Sequence, residues 1–546
     1  MGNASSSKVG GHDGIMAPLR HAVFRRIWLA SVLSNSGILI QGVGAAWAMA
    51  QMATSADKVA LVQTALLLPV MLVSMPAGAL ADMYDRRTVA LVSLGISLAS
   101  ATLLTALTWA GWATPNVLLL LCFAVGTGMA LMGPAWQSSV SEQVPAAALP
   151  SAIALNGISY NIARSVGPAI GGIVVATAGP AAAFGLNALL YAPLMIALFL
   201  WKRVAEPSRL PPEKLGRAIV SGRRYLVNSP SLKILLTRSL LTGFIGGAIT
   251  ALMPLVARDV LHGGAGTYGL LLSAFGIGAV IGALLVNEMR RRMNAELSLR
   301  TCGILMAFAI AGVAGSPWTA LTAAALVIAG ATWMMMWAFL NIGVQLSAPR
   351  WVAGRALAAY QAAASGGIAI GSWGWGQLTN HTSIQTALFV SACTMFASVF
   401  IGVWLRMPEV DKRDDEAEIL EHPTAAYPLK HHSGPIVVEI EYRITPENEP
   451  SFQAIMHEIR LFRQRNGADD WSLACDIADP EVWTERFQCP TWLDYLRQRN
   501  RATRADRAFD RKAIALHIGP EPVRVRRRLV RDPANAQGGR VVATSA

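Results

Sequence analysis

A short charged segment between two apolar runs contains the first residues whose order suggests a mechanism. The stretch Gly78-Ala-Leu-Ala-Asp82-Met-Tyr-Asp85-Arg86-Arg87 places an acid at the end of one run and two cations before the next. Small residues let helices approach closely, and opposite charges in a tight loop can form a breakable network. We expect Gly78, Asp82, Asp85, Arg86 and Arg87 to form a conformational switch. An ordinary basic turn between two helices is the alternative.

A second group lies inside a later apolar run, where Arg164 precedes Gly167-Pro168-Ala-Ile-Gly171-Gly172. Proline removes a backbone hydrogen bond and bends a helix, while glycine permits close packing. A charged side chain at the centre of a membrane helix costs about 2.5–3.5 kcal/mol on insertion scales, so Arg164 should face a cavity or a partner. We expect it to bind an anionic substrate or to act in gating. A structural ion pair is the alternative, and a simple packing kink is the alternative for the Gly-Pro segment.

Amide side chains and a further arginine are distributed through the other apolar runs. Together they could line an amphipathic cavity, whereas hydrogen bonding between helices is the alternative for each amide. The arginine could instead extend its charge to the membrane interface. The candidate cavity residues are Asn35, Gln41, Gln137, Asn161, Arg238, Asn341, Gln345 and Gln361.

Several kinds of chemistry lack their sequence signals. No Gly-x-x-x-x-Gly-Lys-Ser/Thr phosphate loop occurs, so the chain does not drive itself with ATP. The five cysteines lack metal-ligand spacing and are expected to be reduced thiols. No acidic residue is expected deep in an apolar run. We therefore expect no metal site, no cofactor and no catalytic residue in the apolar part.

The composition divides the chain into two parts near residue 410. Overall, 53% of the residues are hydrophobic and 14% are charged, against about 25% charged in soluble proteins. Residues 1–410 hold 25 Lys and Arg but 11 Asp and Glu, whereas residues 411–546 hold 21 and 22. The basic excess therefore belongs to the apolar part, which makes nucleic acid a poor partner and a lipid bilayer the expected one.

The apolar part predicts an all-α polytopic membrane protein. A membrane-spanning helix needs about 20 mostly apolar residues, and twelve runs meet that length approximately. The predicted spans are 27–50, 59–80, 88–110, 116–140, 151–178, 181–201, 234–256, 267–287, 299–316, 318–345, 352–378 and 383–405.

The loops between these runs alternate in charge. Every second loop is rich in Lys and Arg, whereas the others hold little beyond Lys58 and Arg258. Basic loops mark the cytoplasmic face. The pattern predicts an inner-membrane protein with both termini in the cytoplasm.

The apolar part also repeats. Tyr160-Asn-Ile-Ala-Arg-Ser-Val-Gly-Pro-Ala-Ile-Gly171 matches Tyr360-Gln-Ala-Ala-Ala-Ser-Gly-Gly-Ile-Ala-Ile-Gly371 at a spacing of 200. The two segments fall in predicted spans 5 and 11, as a duplication of six helices requires. Two six-helix halves imply alternating access to a small-molecule site between them.

The charged tail predicts a small α+β domain. Its periodicity predicts the order β-α-β-β-α-β, which is ferredoxin-like. The strands are expected at 436–444, 471–477, 482–487 and 523–529, and the helices at 446–465 and 490–509. His457 and Trp483 are the only candidates for chemistry, with a surface histidine and a core tryptophan as the alternative. Sheet edges also make dimerisation through this domain possible.

The domain boundaries follow from these patterns. They are a disordered N-terminus, the two halves with a cytoplasmic loop between them, a second linker, the soluble domain and a tail. In order, these segments are 1–19, 20–201, 202–233, 234–406, 407–433, 434–530 and 531–546.

The charged loop resembles the signature of the major facilitator superfamily, Gly-x-Leu-Ala-Asp-Arg-x-Gly-Arg-Arg. Met83 stands at the first Arg and Asp85 at the second Gly. The Asp-Arg-Arg ending and the opening Phe24-Arg-Arg-Ile-Trp28 resemble the branch of enterobactin exporters and transmembrane secretion effectors, over about residues 20–406.

Two further segments resemble known patterns. Gly167-Pro168-Ala-Ile-Gly171-Gly172 is similar to the core of the superfamily's antiporter motif, although Ala154 and Ala163 replace the upstream glycines. The tail resembles small dimeric monooxygenase-like domains of antibiotic biosynthesis.

The resemblance implies a secondary carrier, not an enzyme, that exports a small amphipathic compound such as a siderophore or drug. An uptake carrier is one alternative. The other is a membrane-tethered enzyme whose terminal domain acts on the transported compound.

Overall fold

The computed structural model describes residues 16–53, 55–145, 148–202, 215–349, 352–408, 423 and 427–531. Most of the predicted N-terminal segment, the middle of both linkers and the tail from 532 lie outside these residues. The chain forms two compact units. The first comprises Met1–Leu215, Leu235–Ile342 and Ala358–Met407, and the second comprises Gly216–Ile234, Gly343–Leu357 and Pro408–Ala546.

The described residues of the apolar part form helices joined by short connections. A short 3-10 helix, Ala17–Arg20, precedes the first long helix and lies at the end of the segment expected to be disordered. The helices are α1 Ala22–Met52, α2 Ala56–Met83, α3 Arg86–Trp109, α4 Pro115–Ser139, α5 Leu149–Leu200, α6 Leu215–Val227, α7 Pro230–Leu255, α8 Ala265–Arg292, α9 Ala295–Gly315, α10 Thr319–Ser347, α11 Ala353–His381, α12 Ile384–Ser398 and α13 Ile401–Trp404.

Ten helices among the described residues are long and apolar enough to cross a membrane. They include α5, whose 52 residues are about twice the length that a bilayer needs. They do not include α11, which is 29 residues long. The chain is therefore a mostly helical, multi-pass membrane protein.

Helix α5 is interrupted at Gly179. This glycine has φ +78° and ψ 173°, far from helical values, and Pro180 follows it. Positive φ is accessible to glycine at little cost, and proline cannot donate the backbone hydrogen bond that would continue the helix. The element is thus two helices in sequence, and its break is at the Gly-Pro pair that separates two predicted spans.

Local side chains explain where several helices begin. Thr114, Asn294 and Ser383 each accept a hydrogen bond from a backbone N–H in the first turn of the helix that follows. These caps satisfy donors that have no partner inside the helix.

The C-terminal region forms an antiparallel four-stranded sheet with the order β2-β3-β1-β4. Helix α14 follows β1, and helices α15 and α16 lie between β3 and β4. The core contains β1 side chains and the α14 face of Phe452, Met456, Ile459 and Phe462. The elements are β1 Ile436–Arg443, α14 Glu449–Asn466, β2 Asp469–Cys475, β3 Val482–Cys489, α15 Trp492–Arg501, α16 Arg504–Ala515 and β4 Arg524–Leu529.

One helix of this region differs from the sequence prediction. The segment expected as one helix at 490–509 is two helices, because Thr503 starts a new one. The Thr503 hydroxyl accepts from the Asp506 N–H, and the Asp506 carboxylate accepts from the Thr503 N–H. This reciprocal capping box fixes a helix start inside an otherwise helical pattern.

Candidate functional site

The charged loop connects α2 to α3 through a capped helix start. Asp85 is the N-cap of α3, and its carboxylate accepts from the Thr88 N–H at 2.9 Å. An acid there also interacts favourably with the positive end of the helix dipole. Asp85 is therefore occupied locally.

The two arginines of the loop extend to other helices. Arg86 Nη1 lies 2.9 Å from Glu142 Oε1, just beyond the end of α4. Arg87 donates from Nε to the Leu198 carbonyl at 2.9 Å and from Nη2 to the Phe199 carbonyl. These carbonyls belong to the last turn of α5, where helices carry unpaired acceptors. The start of α3 is thus joined to the ends of α4 and α5.

The remaining residues of the charged loop are Asp82 and Gly78. The side chain of Asp82 lies outside the described residues. A Cβ placed on Gly78 would meet nothing within 4 Å, whereas one on Gly282 of α8 would lie 2.3 Å from the Ala331 carbonyl. Close helix packing therefore accounts for Gly282 but not for Gly78.

The repeated glycines have equivalent surroundings in the two repeats. Cβ atoms on Gly167 and Gly171 would lie 3.1 Å from Leu39 and Ile40 of α1. Their counterparts 200 residues later, Gly367 and Gly371 of α11, each face α7, where a Cβ would lie 2.2 Å from a backbone carbonyl. Both repeats therefore use glycine to pack the repeated helix on the first helix of its own half.

Helix α5 also packs against α8, which follows the predicted midpoint of the chain. A Cβ on Gly172 would lie 2.7 Å from Gly269 Cα, and one on Gly276 would lie 2.5 Å from the Arg164 carbonyl. The Pro168 carbonyl also lies 2.8 Å from the Cβ position of Gly269. Side chains larger than hydrogen would separate these backbones. The contact joins the two predicted halves directly.

Arg164 lies on the α5 face between these two contacts. Successive residues of a helix are 100° apart, so Arg164 falls between the α1-facing side of Gly167 and the α8-facing side of Gly172. Its guanidinium carbon is 5.4 Å from the centre of the Phe275 ring on α8, a cation–π distance. Among the described residues no carboxylate pairs with it. Arg164 is a half-buried cation at the junction of the halves.

The predicted cavity residues divide into buried or half-buried residues and exposed residues. Asn35 donates to the Ser159 hydroxyl at 3.3 Å, Gln41 is buried and bonded to Asn187, and Asn341 bonds Tyr360. Gln41 is only 2% exposed, so it joins two helices instead of lining an open space. The exposed group is Gln137, Gln345 and Gln361. The Asn161 side chain lies outside the described residues.

Arg238, which the sequence predicts to line the cavity or to reach the membrane interface, is engaged in buried contacts in the structure. It forms a buried ion pair with Glu296 of α9 and donates to the Leu405 carbonyl at 2.9 Å. Glu296 also accepts from Arg300 Nε and from the Met407 N–H, each at 2.9 Å. The pair therefore fixes the chain where it leaves the last helix.

The sequence alone does not reveal Glu296 as the partner of Arg238, because no local pattern marks this residue. The usable signal was Arg238 itself, since a cation inside a membrane helix requires a partner.

The end of the bundle opposite the charged loop is held by caps that cross between halves. We call it the distal end; there α1 ends, α2 begins and α11 ends. Asn380 of α11 accepts from the Ala56 N–H at 2.7 Å and donates to Asp57 at 2.8 Å. Arg258, which follows α7, donates to the Ala50 carbonyl near the end of α1. Helix ends of one half are thus satisfied by side chains of the other.

The C-terminal domain holds no grouping of His457 with Trp483. His457 is exposed on α14, whereas Trp483 packs edge-on against Phe452 at 6.0 Å on the core side. The positions match the surface histidine and core tryptophan of the alternative interpretation.

Buried charges in this domain are paired. Arg463 contacts Glu485 and Asp510, each at 2.9 Å, and Trp471 donates to Glu485 at 3.0 Å. Burial lowers the pKa of Arg463, but the two carboxylates outweigh it and the net pKa is raised. A charge held in this way is a packing element of the domain core.

A family model described as "transmembrane secretion effector" matches residues 13–534. The multidrug efflux pump Tap of Mycobacterium tuberculosis is 25% identical over 410 residues, covering 71% of this chain and 94% of the pump. The enterobactin exporter EntS of Citrobacter koseri is 26% identical over 306 residues, covering 54% and 70%. The staphyloferrin A transporter of Staphylococcus aureus is 25% identical over 294 residues, covering 52% and 72%.

Solved transporters share the helical fold at low identity. The nucleoside transporter NupG superposes with a TM-score of 0.55 at 12% identity, covering 71% of this chain and 100% of that structure. A D-xylose–proton symporter gives 0.56 at 14% identity, covering 72% and 98%.

Proposed function

We propose, from the premise that this chain belongs to the transmembrane secretion effector family, that it exports a small amphipathic compound by alternating access. The chain is a secondary transporter of the major facilitator type. The substrate class and the direction of transport are our proposal. The efflux pump and siderophore exporter among its relatives support both.

Arg164 is the observation that carries the proposal furthest. It is a half-buried cation on the α5 face between the contacts with α1 and α8. Transporter substrates bind near the midplane between the halves, and a membrane-buried arginine marks a substrate path or a relay. We assign it to the anionic group of the substrate, with Asn161, Gln137 and Gln361 as further polar candidates.

The topology that this function needs has twelve spans in two halves of six. Counting α5 as two spans at Gly179 and including α11 extends the ten apolar helices to twelve. The Lys and Arg asymmetry of the loops supports a plasma-membrane protein with both termini in the cytoplasm. A cytoplasmic reporter fused at residue 410 should then be active, and activity of a periplasmic reporter there would contradict this orientation.

The structural contacts support distinct roles for the two ends of the bundle. Arg86 and Arg87 hold the charged loop to the ends of α4 and α5 and act with Asp82 as the switch. Asp57, Asn380 and Arg258 close the distal end. Opening the distal end exposes the capped helix termini to water, while the loop forms new contacts.

The C-terminal sheet fits a ferredoxin-like domain with a non-catalytic role. Its strand order is the one that a β-α-β-β-α-β chain adopts in that fold. The edge strands β2 and β4 could pair with those of a second copy to form a dimer. The sheet face opposite the helices carries the pairs Glu439–Arg528 and Glu441–Arg526, so an edge is the more suitable contact.

A deletion strain tests the proposal in the organism that carries the chain. Loss of the gene should increase susceptibility to amphipathic drugs or reduce a secreted siderophore in the medium, and the full chain should restore either. The resistance or secretion restored by Arg164→Ala should be lower than that restored by the full chain by about tenfold or more. Arg164→Lys keeps the charge and should restore it in part. Normal complementation by Arg164→Ala would contradict the assigned site, and an unchanged deletion strain would contradict export.

A further inference from the structure

The helix that connects the two halves contacts the C-terminal domain within the second compact unit. Arg224 Nη1 of α6 lies 2.9 Å from Asp469 Oδ1 at the start of β2. The guanidinium of Arg465, near the end of α14, lies 5.8 Å from the centre of the Tyr225 ring. The domain therefore offers α6 both a carboxylate and a cation within interaction distance.

Burial separates the two faces of α6. Tyr225 is 3% exposed and Leu226 is 7% exposed, whereas Val220 and Val227 are 61% and 53% exposed. Residues three and four apart share a helix face, so the buried side and the exposed side are opposite. A buried tyrosine is a strong anchor at contacts between folded surfaces. The inward face of α6 is thus a packed face, and the Arg465 guanidinium of the domain lies against its Tyr225.

The turn between α14 and β2 lies against Arg224 of this helix. Gly467 has φ +124°, which favours glycine, and Arg224 Nη2 lies 3.3 Å from where its Cβ would be. On the side of α6 away from Arg224, Gly222 faces Arg355 in the first turn of α11. A Cβ on Gly222 would lie 2.9 Å from Arg355 Cδ. Helix α6 therefore contacts both the domain and the start of a membrane helix.

We infer that the C-terminal domain acts as a clamp on α6 and so stabilises the conformation in which the distal end is closed. The inference rests on the proposed alternating-access function. A contact formed in one state and weakened in another shifts the equilibrium between them by its differential free energy. Helix α6 connects the two halves, so releasing it removes a restraint on their relative movement. The population in which the distal end is open therefore rises.

A charge-reversal cycle in the full-length chain tests the clamp without a transported compound. Arg224→Glu and Asp469→Arg each break the pair, and the double variant restores it with opposite polarity. Arg223→Glu on the exposed side of the same helix is the matched control. Tyr225→Ala removes the buried anchor and tests the same contact without charge. Hydrogen exchange over residues 215–227 should accelerate in both single variants and in Tyr225→Ala, but not in the double variant or the control.

The effect on the halves is measured by the distance between two spin labels at the distal end. Trp112→Cys follows α3 and Trp318→Cys precedes α10; both native side chains are exposed, 74% and 70%. The exposed Cys393 and Cys475 are replaced by serine, while the buried cysteines remain. Each single reversal should raise the ratio of the longer to the shorter distance by about two- to fivefold, the range expected of a partly exposed ion pair. The double variant should return to the parent ratio.

The outcomes separate the clamp from the proposed function. Faster exchange in α6 with an unchanged distance ratio would overturn the clamp, as would unchanged exchange in the single variants and Tyr225→Ala. A single distance in every variant and the parent would instead contradict alternating access. Complementation of the deletion strain by the parent chain, measured in parallel, reports on export independently of both.

Discussion

At the residue scale, the sequence located the charged positions but not their partners. Arg164 and Arg238 are both cations inside apolar runs. Sequence reasoning gave Arg164 a substrate or gating role, with an ion pair as the alternative, and placed Arg238 in the cavity or at the membrane interface. The structure separates them, because Arg238 meets Glu296 from a helix 58 residues away while Arg164 meets an aromatic ring. Such pairings depend on how helices pack, which the local hydropathy pattern does not record.

The Arg238–Glu296 pair gives a prediction about stability. Breaking a buried pair leaves an uncompensated charge and costs about 3–5 kcal/mol. Glu296→Leu leaves Arg238 buried without its carboxylate and should therefore lower the thermal unfolding temperature of the purified protein substantially. Arg238→Met should lower it less, because Glu296 keeps its bonds to Arg300 and to the Met407 N–H. The double variant removes both charges and should recover most of the loss. Equal unfolding temperatures for the parent and the two single variants would contradict a structural role.

At the element scale, apolar run length and glycine spacing predicted a break between two spans and a repeated packing pattern. The Gly179-Pro180 break separates two predicted spans, and the repeat at 200 residues corresponds to equivalent glycine packing in α5 and α11. The division of α15 from α16 was not predicted, because it depends on a reciprocal cap at Thr503 inside a helical pattern.

The contact between α5 and α8 gives a prediction with an internal control. A Cβ on Gly269 would lie 2.6 Å from Gly172 Cα, whereas one on Gly266 of the same helix would meet nothing within 4 Å. Both positions gain helix propensity from alanine. Gly269→Ala should still reduce transport severalfold in efflux assays, while Gly266→Ala should match the parent. Equal transport by both variants at equal membrane levels would mean that this approach of backbones is unnecessary.

At the scale of the whole molecule, the charge composition predicted a division of the chain near residue 410 but not which elements share one compact unit. The compact unit that holds the C-terminal domain also holds α6 and the start of α11. Composition could not show this, because α6 belongs to a loop whose partner begins more than 200 residues later in sequence.

Truncation tests how independent the two parts are. Residues 1–407 retain both repeats, the charged loop and the Glu296 contact to Met407. A chain ending at Met407 should therefore insert into the membrane and transport. Loss of insertion would make the tail an integral part of the carrier.

The fragment 427–531 gives the complementary test by thiol reactivity. Burial raises the pKa of the Cys489 thiol to about 12, so in a folded domain it stays protonated and protected at pH 8.5. The exposed Cys475 should react there. Equal and rapid labelling of both thiols in the native fragment would show that it is unfolded without the rest of the chain.

The most direct test of the central claim measures direction in sealed membrane vesicles that carry the full chain. Inverted vesicles expose the cytoplasmic face, so an exporter loads them from the medium. Under an imposed ion gradient they should accumulate the drug or siderophore identified with the deletion strain, and Arg164→Ala vesicles should not. Right-side-out vesicles should accumulate none above the level of vesicles without the chain. Accumulation in right-side-out vesicles alone, or in neither preparation, would contradict a secondary exporter.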